Sequence, residues 1–174
     1  MIHIKSTYIY ITIIVLGLLV FLFDYYELID PVISEYLLFV ISLTKATYFI
    51  YLVFKTIKDT ADKKFYFKDF ITFAVVSILL VIISFSIDYY CLFRINPGGF
   101  SGIIPKENLL TEFISFFYYS ISVFTTAGFG DIKPNSTSAQ VVSMELMIAF
   151  FFTILFIANI SHIRSSYIKR EIKL

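Results

Sequence analysis

Four long apolar runs, Thr7 to Phe23, Val32 to Phe54, Phe70 to Phe93 and Ser138 to Ile160, limit what this chain can fold into. Crossing the hydrocarbon of a bilayer takes roughly 20 apolar residues in a helix. The last three runs meet that length, and the first does so once its polar flanks reach the interface. In lipid each must be helical, because an open strand would leave backbone N–H and C=O groups unpaired. Composition agrees: 59% of the 174 residues are hydrophobic and 16% charged, where a soluble domain carries about 25% charge. The expectation is an all-α membrane protein with four transmembrane helices. The first run is read as a retained helix and not as a cleaved signal, since no small-x-small site follows it.

Several function classes drop out early. Net charge is +1, so no basic field or charge run points to nucleic acid. Cys91 is the only cysteine, which rules out a disulfide within the subunit and a cysteine metal site. No cluster of His, Asp, Glu or Cys offers acid–base or metal chemistry, so an enzyme is not expected.

Orientation follows from the basic residues. Lys5 precedes the first run. Lys55, Lys58, Lys63, Lys64 and Lys68 lie between the second and third, and Arg164, Lys169, Arg170 and Lys173 follow the last. With four spans, these ten of the fourteen basic residues share one side. The link between the first two runs holds Asp24, Glu27 and Asp30 and no basic residue. The positive-inside rule then predicts cytoplasmic N- and C-termini, with residues 94–137 facing outward. The Ile-, Phe-, Tyr- and Lys-rich composition suggests a bacterial inner (plasma) membrane.

That outward segment is unusual. It opens with the turn-rich stretch Asn96-Pro97-Gly98-Gly99-Phe100-Ser101-Gly102. Thr111 to Thr125 is again apolar and helix-compatible, with Glu112 placed to favour the positive end of the helix dipole. At about 15 residues it is too short to cross and return, and is predicted to be re-entrant. Gly128 and Gly130 follow, and irregular backbone at membrane depth is tolerated only where it is buried in protein or lines a water-filled path.

The stretch Tyr118-Tyr119-Ser120-Ile121-Ser122-Val123-Phe124-Thr125-Thr126-Ala127-Gly128-Phe129-Gly130-Asp131-Ile132-Lys133-Pro134 resembles the pore-loop signature of potassium channels. That family's filter reads Thr-Val-Gly-Tyr-Gly followed by Asp, and the resemblance extends from the third span through the fourth. It implies a homotetramer in the lipid bilayer, each chain lending one wall of a filter at Thr126, Ala127, Gly128, Phe129 and Gly130. It also implies K+ held by the carbonyls of Thr126, Ala127, Gly128 and Phe129 and by the Thr126 hydroxyl, with no other cofactor. For successive carbonyls to face the axis, alternate residues must take backbone angles that L-residues avoid, which Gly128 and Gly130 can do. The chain divides accordingly: residues 1–69 carry two peripheral helices and the lysine-rich loop, 70–163 the pore module, and 164–174 a short cytoplasmic tail.

The sequence also departs from the family pattern. Ala127 stands where the family usually has Val, and Phe129 where it has Tyr. With no tryptophan in the chain, the aromatic cuff around the filter falls to Tyr118 and Tyr119, leaving the filter less braced. Thr125 is expected to support the filter, and the Ser122 hydroxyl to donate to Asp131. The last span lacks the glycine at which many relatives bend; Ala149 or Phe150 falls there. Phe151, Ile154, Ala158 and His162 form a stripe read as the inner pathway or gate. Two charges lie within spans, Lys45 in the second and Glu145 in the fourth. They sit at similar depth and can pair with each other, the alternative being that Lys45 meets the interface or a backbone carbonyl. Lys45 alone cannot act as a voltage sensor, and the short tail leaves no room for a ligand-binding domain. Other readings are a weakly selective or nonselective monovalent cation channel, a pore-loop potassium transporter subunit, and a membrane sensor or assembly factor with no conduction. Such transporters usually carry several pore loops in one chain, and this chain has one.

Overall fold

The computed structural model describes residues 11–12, 15, 18–19, 22–23, 26, 28–62, 67–103, 108–143, 145–154 and 157. The first expected span lies largely, and the tail wholly, outside the described residues. Helix α1 runs Pro31–Asp62, α2 Phe67–Ile95, α3 Leu109–Phe124 and α4 Thr137–Val142. Among the described residues, three stretches are long and apolar enough to cross a membrane: Pro31–Tyr51 in α1, Val75–Ile95 in α2, and Thr137–Ile154, which begins with α4. They correspond to the second, third and fourth expected spans. The protein is an all-α membrane protein apart from one short strand pair.

Helix α1 starts where chemistry favours it, with the Asp30 carboxylate accepting from Val32 N at 2.8 Å and Pro31 opening the first turn. Its buried stripe is Ser34, Leu38, Ser42, Lys45, Ala46 and Phe49, a spacing of three to four residues that keeps one face turned inward. Three of these are small, which lets helix backbones approach closely in a lipid environment. Phe49 also stacks on Phe152 of the last span, ring centres 6.4 Å apart. The opposite face, including Val32, Tyr36, Val40 and Tyr51, is exposed and apolar, as a lipid-facing surface requires.

Helix α2 is the centre of the subunit. Its C-terminal half joins α3 through aromatic side chains, Tyr89 meeting Tyr119 at 4.9 Å and Phe93 meeting Phe116 at 5.2 Å, and Phe100, beyond the helix, meets Phe116 at 5.1 Å. The edge-to-face and tilted geometries suit the ring quadrupoles. Arg94, in the last turn of α2, reaches the buried Glu112 in the first turn of α3 at 3.1 Å.

The connection between α2 and the last span closes on itself. Strand β1 (Phe100–Ser101) pairs antiparallel with β2 (Lys133–Pro134), Phe100 opposite Pro134 and Ser101 opposite Lys133. Asn135 N and Ser136 N both donate to the Gly99 carbonyl, at 2.8 and 3.2 Å. The chain that leaves at Ser101 therefore returns to the same level at Lys133. Helix α3 and the segment after it lie between these two points, which makes the excursion re-entrant. At 16 residues, α3 is about 24 Å long, short of a full crossing.

Candidate functional site

The site is built at the C-terminal end of α3. Asn108 caps that helix, its side chain accepting from Leu110 N at 3.1 Å, and Glu112 sits in the first turn, where a carboxylate suits the dipole. At the other end the Thr125 N–H and hydroxyl both donate to the Ile121 carbonyl, at 2.9 and 2.7 Å. Thr126 N then donates to Val123 O at 3.0 Å and Gly128 N to Ser122 O at 3.2 Å. The first residues beyond the helix are thus bonded back into its last turn, and the position of that turn sets where they lie.

The backbone beyond the helix alternates. Thr126, Gly128 and Gly130 have φ of 59°, 51° and 76°. The glycines take these values freely; Thr126, a β-branched residue, does not. Such a conformation costs on the order of 1–3 kcal/mol and persists only where its surroundings hold it. The two back-bonds to Val123 and Ser122 supply that hold. The sequence pointed to two such residues, and the third was hidden because threonine ordinarily avoids the region. Residues 125–131 are all exposed within one chain.

The bracing differs from the expected aromatic cuff. Tyr118 lies behind the segment, its ring stacked on Phe129 at 5.9 Å with planes 7° apart. Its hydroxyl donates to Asp131 and holds that carboxyl below its usual range, helped by the Ile132 N–H at 2.9 Å. Tyr119 instead points into the core, packed on Tyr89 and within 3.3 Å of Ser143 Oγ. Ser122 does not reach Asp131: its hydroxyl is buried and donates to the Tyr119 carbonyl at 2.9 Å. Successive helix residues are turned about 100° apart, so Tyr118 and Tyr119 face different neighbours.

The two intramembrane charges do not pair with each other. Lys45 Nζ bonds to Asp88 Oδ2, to the Ser84 carbonyl at 3.1 Å, and stands 4.8 Å over the Phe85 ring. Asp88 is about 10 Å from the C-terminal end of α2 and Glu145 about 12 Å from the start of the last span, so both lie within depth of Lys45. The lysine takes Asp88, although α1 touches both helices, Phe49 stacking on Phe152 of the last span. Glu145 accepts from the Tyr89 hydroxyl at 2.9 Å and the Ser120 hydroxyl at 2.7 Å. Asp88 was missed in the sequence, although it is the one acidic residue in the third apolar run, and such a residue normally has a partner.

Phe151 and Ile154 are exposed on the last span, as an inner lining would be in one chain; Ala158 and His162 lie outside the described residues. Ala149 is buried and Phe150 exposed. The helix irregularity falls earlier, at Ser143, whose carbonyl accepts from Leu146 N at 3.1 Å in a tightened turn.

Residues 75–165, just over half of the chain, match a family model described as an ion channel. The Two-pore potassium channel 4 of Arabidopsis thaliana is 36% identical over 70 residues, 40% of this chain and 22% of that protein. The Potassium channel protein kcv of Paramecium bursaria Chlorella virus 1 is 26% identical over 69 residues, 38% of this chain and 73% of that protein. The chain belongs to the ion channel family. It thus matches only about a fifth of the plant relative's length. No solved structure matches it.

Proposed function

We propose that four copies of this chain surround a potassium-selective pore whose filter is Thr126 to Gly130. The observation that carries this reading is the alternation of left-handed backbone at Thr126, Gly128 and Gly130, in a segment anchored between the end of α3 and the β1–β2 pair. Alternation of this kind turns successive carbonyls toward one side. A dehydrated K+ needs such a cage of oxygens without fixed charge. Ions would be held by the carbonyls of Thr126, Ala127, Gly128 and Phe129 with the Thr126 hydroxyl, K+ being the substrate and no resident cofactor being needed. One chain supplies one wall, hence a homotetramer. The C-terminal, negative end of α3 favours a cation below the filter.

The proposed setting is a bacterial inner membrane with both termini cytoplasmic and the β1–β2 pair outside. Lys45 is engaged by Asp88, which supports a fixed peripheral helix and not a voltage sensor. The test is reconstitution of purified protein in planar bilayers with K+ on one side and Na+ on the other. The current should reverse close to the K+ equilibrium potential, and cross-linking should give a four-rung ladder. Reversal near zero in those solutions rules out selectivity, and a ladder ending at two rungs rules out the tetramer.

Outer-mouth charge should respond to pH in a defined direction. The Tyr118 hydroxyl keeps the Asp131 carboxyl below its usual range. Lowering the outside pH therefore removes this negative charge only well into the acid range, and conductance should fall there. Tyr118→Phe deletes the bond, lets the carboxyl protonate more readily, and should move that fall to higher pH. An identical pH profile in the variant would contradict the assignment of Tyr118.

A further inference from the structure

We propose that Glu145 is a positioning residue for the filter, its buried carboxylate tying the last span to the pore helix through Ser120. This rests on the reading of residues 126–130 as the filter. Glu145, Ser120 and Tyr89 are all fully buried, and each belongs to a different helical stretch: the last span, α3 and α2. Glu145 Oε1 accepts from Ser120 Oγ at 2.7 Å and Oε2 from Tyr89 Oη at 2.9 Å. Ser120 Oγ is also 2.9 Å from the Ile82 carbonyl of α2. Its single proton can serve one acceptor at a time, so the carboxylate and that carbonyl compete for it. A second tie lies one residue away. Ser143 Oγ donates to the Ala139 carbonyl at 2.9 Å, leaving its lone pair to accept from the Tyr119 hydroxyl at 3.3 Å.

Position gives these bonds their consequence. Ser120 sits one turn before the end of α3, whose Ile121, Ser122 and Val123 carbonyls receive the N–H groups of Thr125, Gly128 and Thr126. A shift of that turn is a shift of the filter's inner end. The Glu145 carboxyl presents one oxygen to Ser120 and the other to Tyr89; an amide keeps only one oxygen. Glu145 also lies inside the turn that Leu146 N closes on the Ser143 carbonyl, so its place is set where the last span departs from regular helix.

Reversal potential separates positioning from simple stability, because it does not depend on how many channels form. Glu145→Gln, Ser120→Ala and the double variant are to be recorded in opposed K+ and Na+. Each single variant should lower the K+ over Na+ permeability ratio by about fivefold, the low end of measured couplings between sites. The double variant should add little further, since both changes remove one bond. Tyr89→Phe, which leaves the carboxylate in place, should shift the ratio in the same direction and serves if Glu145→Gln yields no current. Smaller currents with wild-type reversal potentials would overturn the proposal, as would shifts that add in full. If the wild type itself reverses near zero, the potassium reading fails, while any shift of its ratio in the variants still tests the tie.

Discussion

Gly102→Ala should prevent the loop beside the proposed filter from forming, with loss of the proposed tetramer on native gels and of current in bilayers. Gly102 has φ of 90°, and a Cβ built on it would lie 1.9 Å from the Asp131 carbonyl oxygen and 2.9 Å from its carbon. Two separate costs meet here. The backbone angle alone is worth about 1–3 kcal/mol for an L-residue. The contact is worse, because the atom in the way is backbone and cannot rotate aside. Asp131 cannot move freely either, since it directly follows Gly130 and precedes the β2 residues paired to Phe100 and Ser101. Relief must come from the filter's outer end or from the strand pair, and in a symmetric assembly each subunit carries the same insult. Gly98→Ala is the matched control: the nearest atom to its added carbon is Asn96 Oδ1 at 3.5 Å, an ordinary contact, and stability should be unchanged. A Gly102→Ala channel that melts and conducts like Gly98→Ala would show the close approach to be absent in the membrane.

What could be read from the chain itself followed from periodicity and length. Three of the four spans, the short helix before the glycines, and the need for left-handed backbone at Gly128 and Gly130 all come from rules with a single physical cause. The helix boundaries Leu109 and Phe124 lie within two residues of the expected ones. The side of each residue on α3 was also legible, had the stripe been traced. Glu112, Phe116, Tyr119 and Ser120 recur at three and four and are buried, while Ile114, Tyr118 and Ile121 recur on the exposed face. That pattern already parts Tyr118 from Tyr119. Less legible was anything decided by what packs against what. The left-handed Thr126 depends on two bonds to the last turn of α3, and threonine's own preference opposes it. The β1–β2 pair is two residues long on each side, too short for an alternating pattern to register. The partner of Lys45 was not legible, because depth alone left two carboxylates within range and α1 touches the helices that carry both.

Neutralising one member of the Lys45–Asp88 pair should destabilise the subunit by about 3–5 kcal/mol, because the remaining charge is then buried without a counterion. Lys45 is 1% exposed and Asp88 7%, so water does not screen the loss. The two single variants are not equivalent. In Asp88→Asn the ammonium keeps the Ser84 carbonyl at 3.1 Å and the Phe85 ring at 4.8 Å, and these offset part of the loss. In Lys45→Met the carboxylate has lost its cation, and neither the Ser84 carbonyl nor the negative face of the Phe85 ring can donate to it. Lys45→Met should therefore be the more damaging. The double variant Lys45→Met with Asp88→Leu replaces the pair by apolar groups and should recover most of the stability, as buried pairs elsewhere do when replaced together. A charge swap should recover less, since a lysine at position 88 leaves the Ser84 carbonyl and the Phe85 ring face, which now hold the cation, without one. Thermal melting of the detergent-solubilised tetramer orders the four variants. Equal losses in the double variant and the sum of the singles would mean that the two charges act independently. Because Lys45 and Asp88 bond to each other and to α2 and not to α3, channels that form in the double variant should keep the wild-type reversal potential, which separates the anchoring of α1 from the positioning role proposed for Glu145.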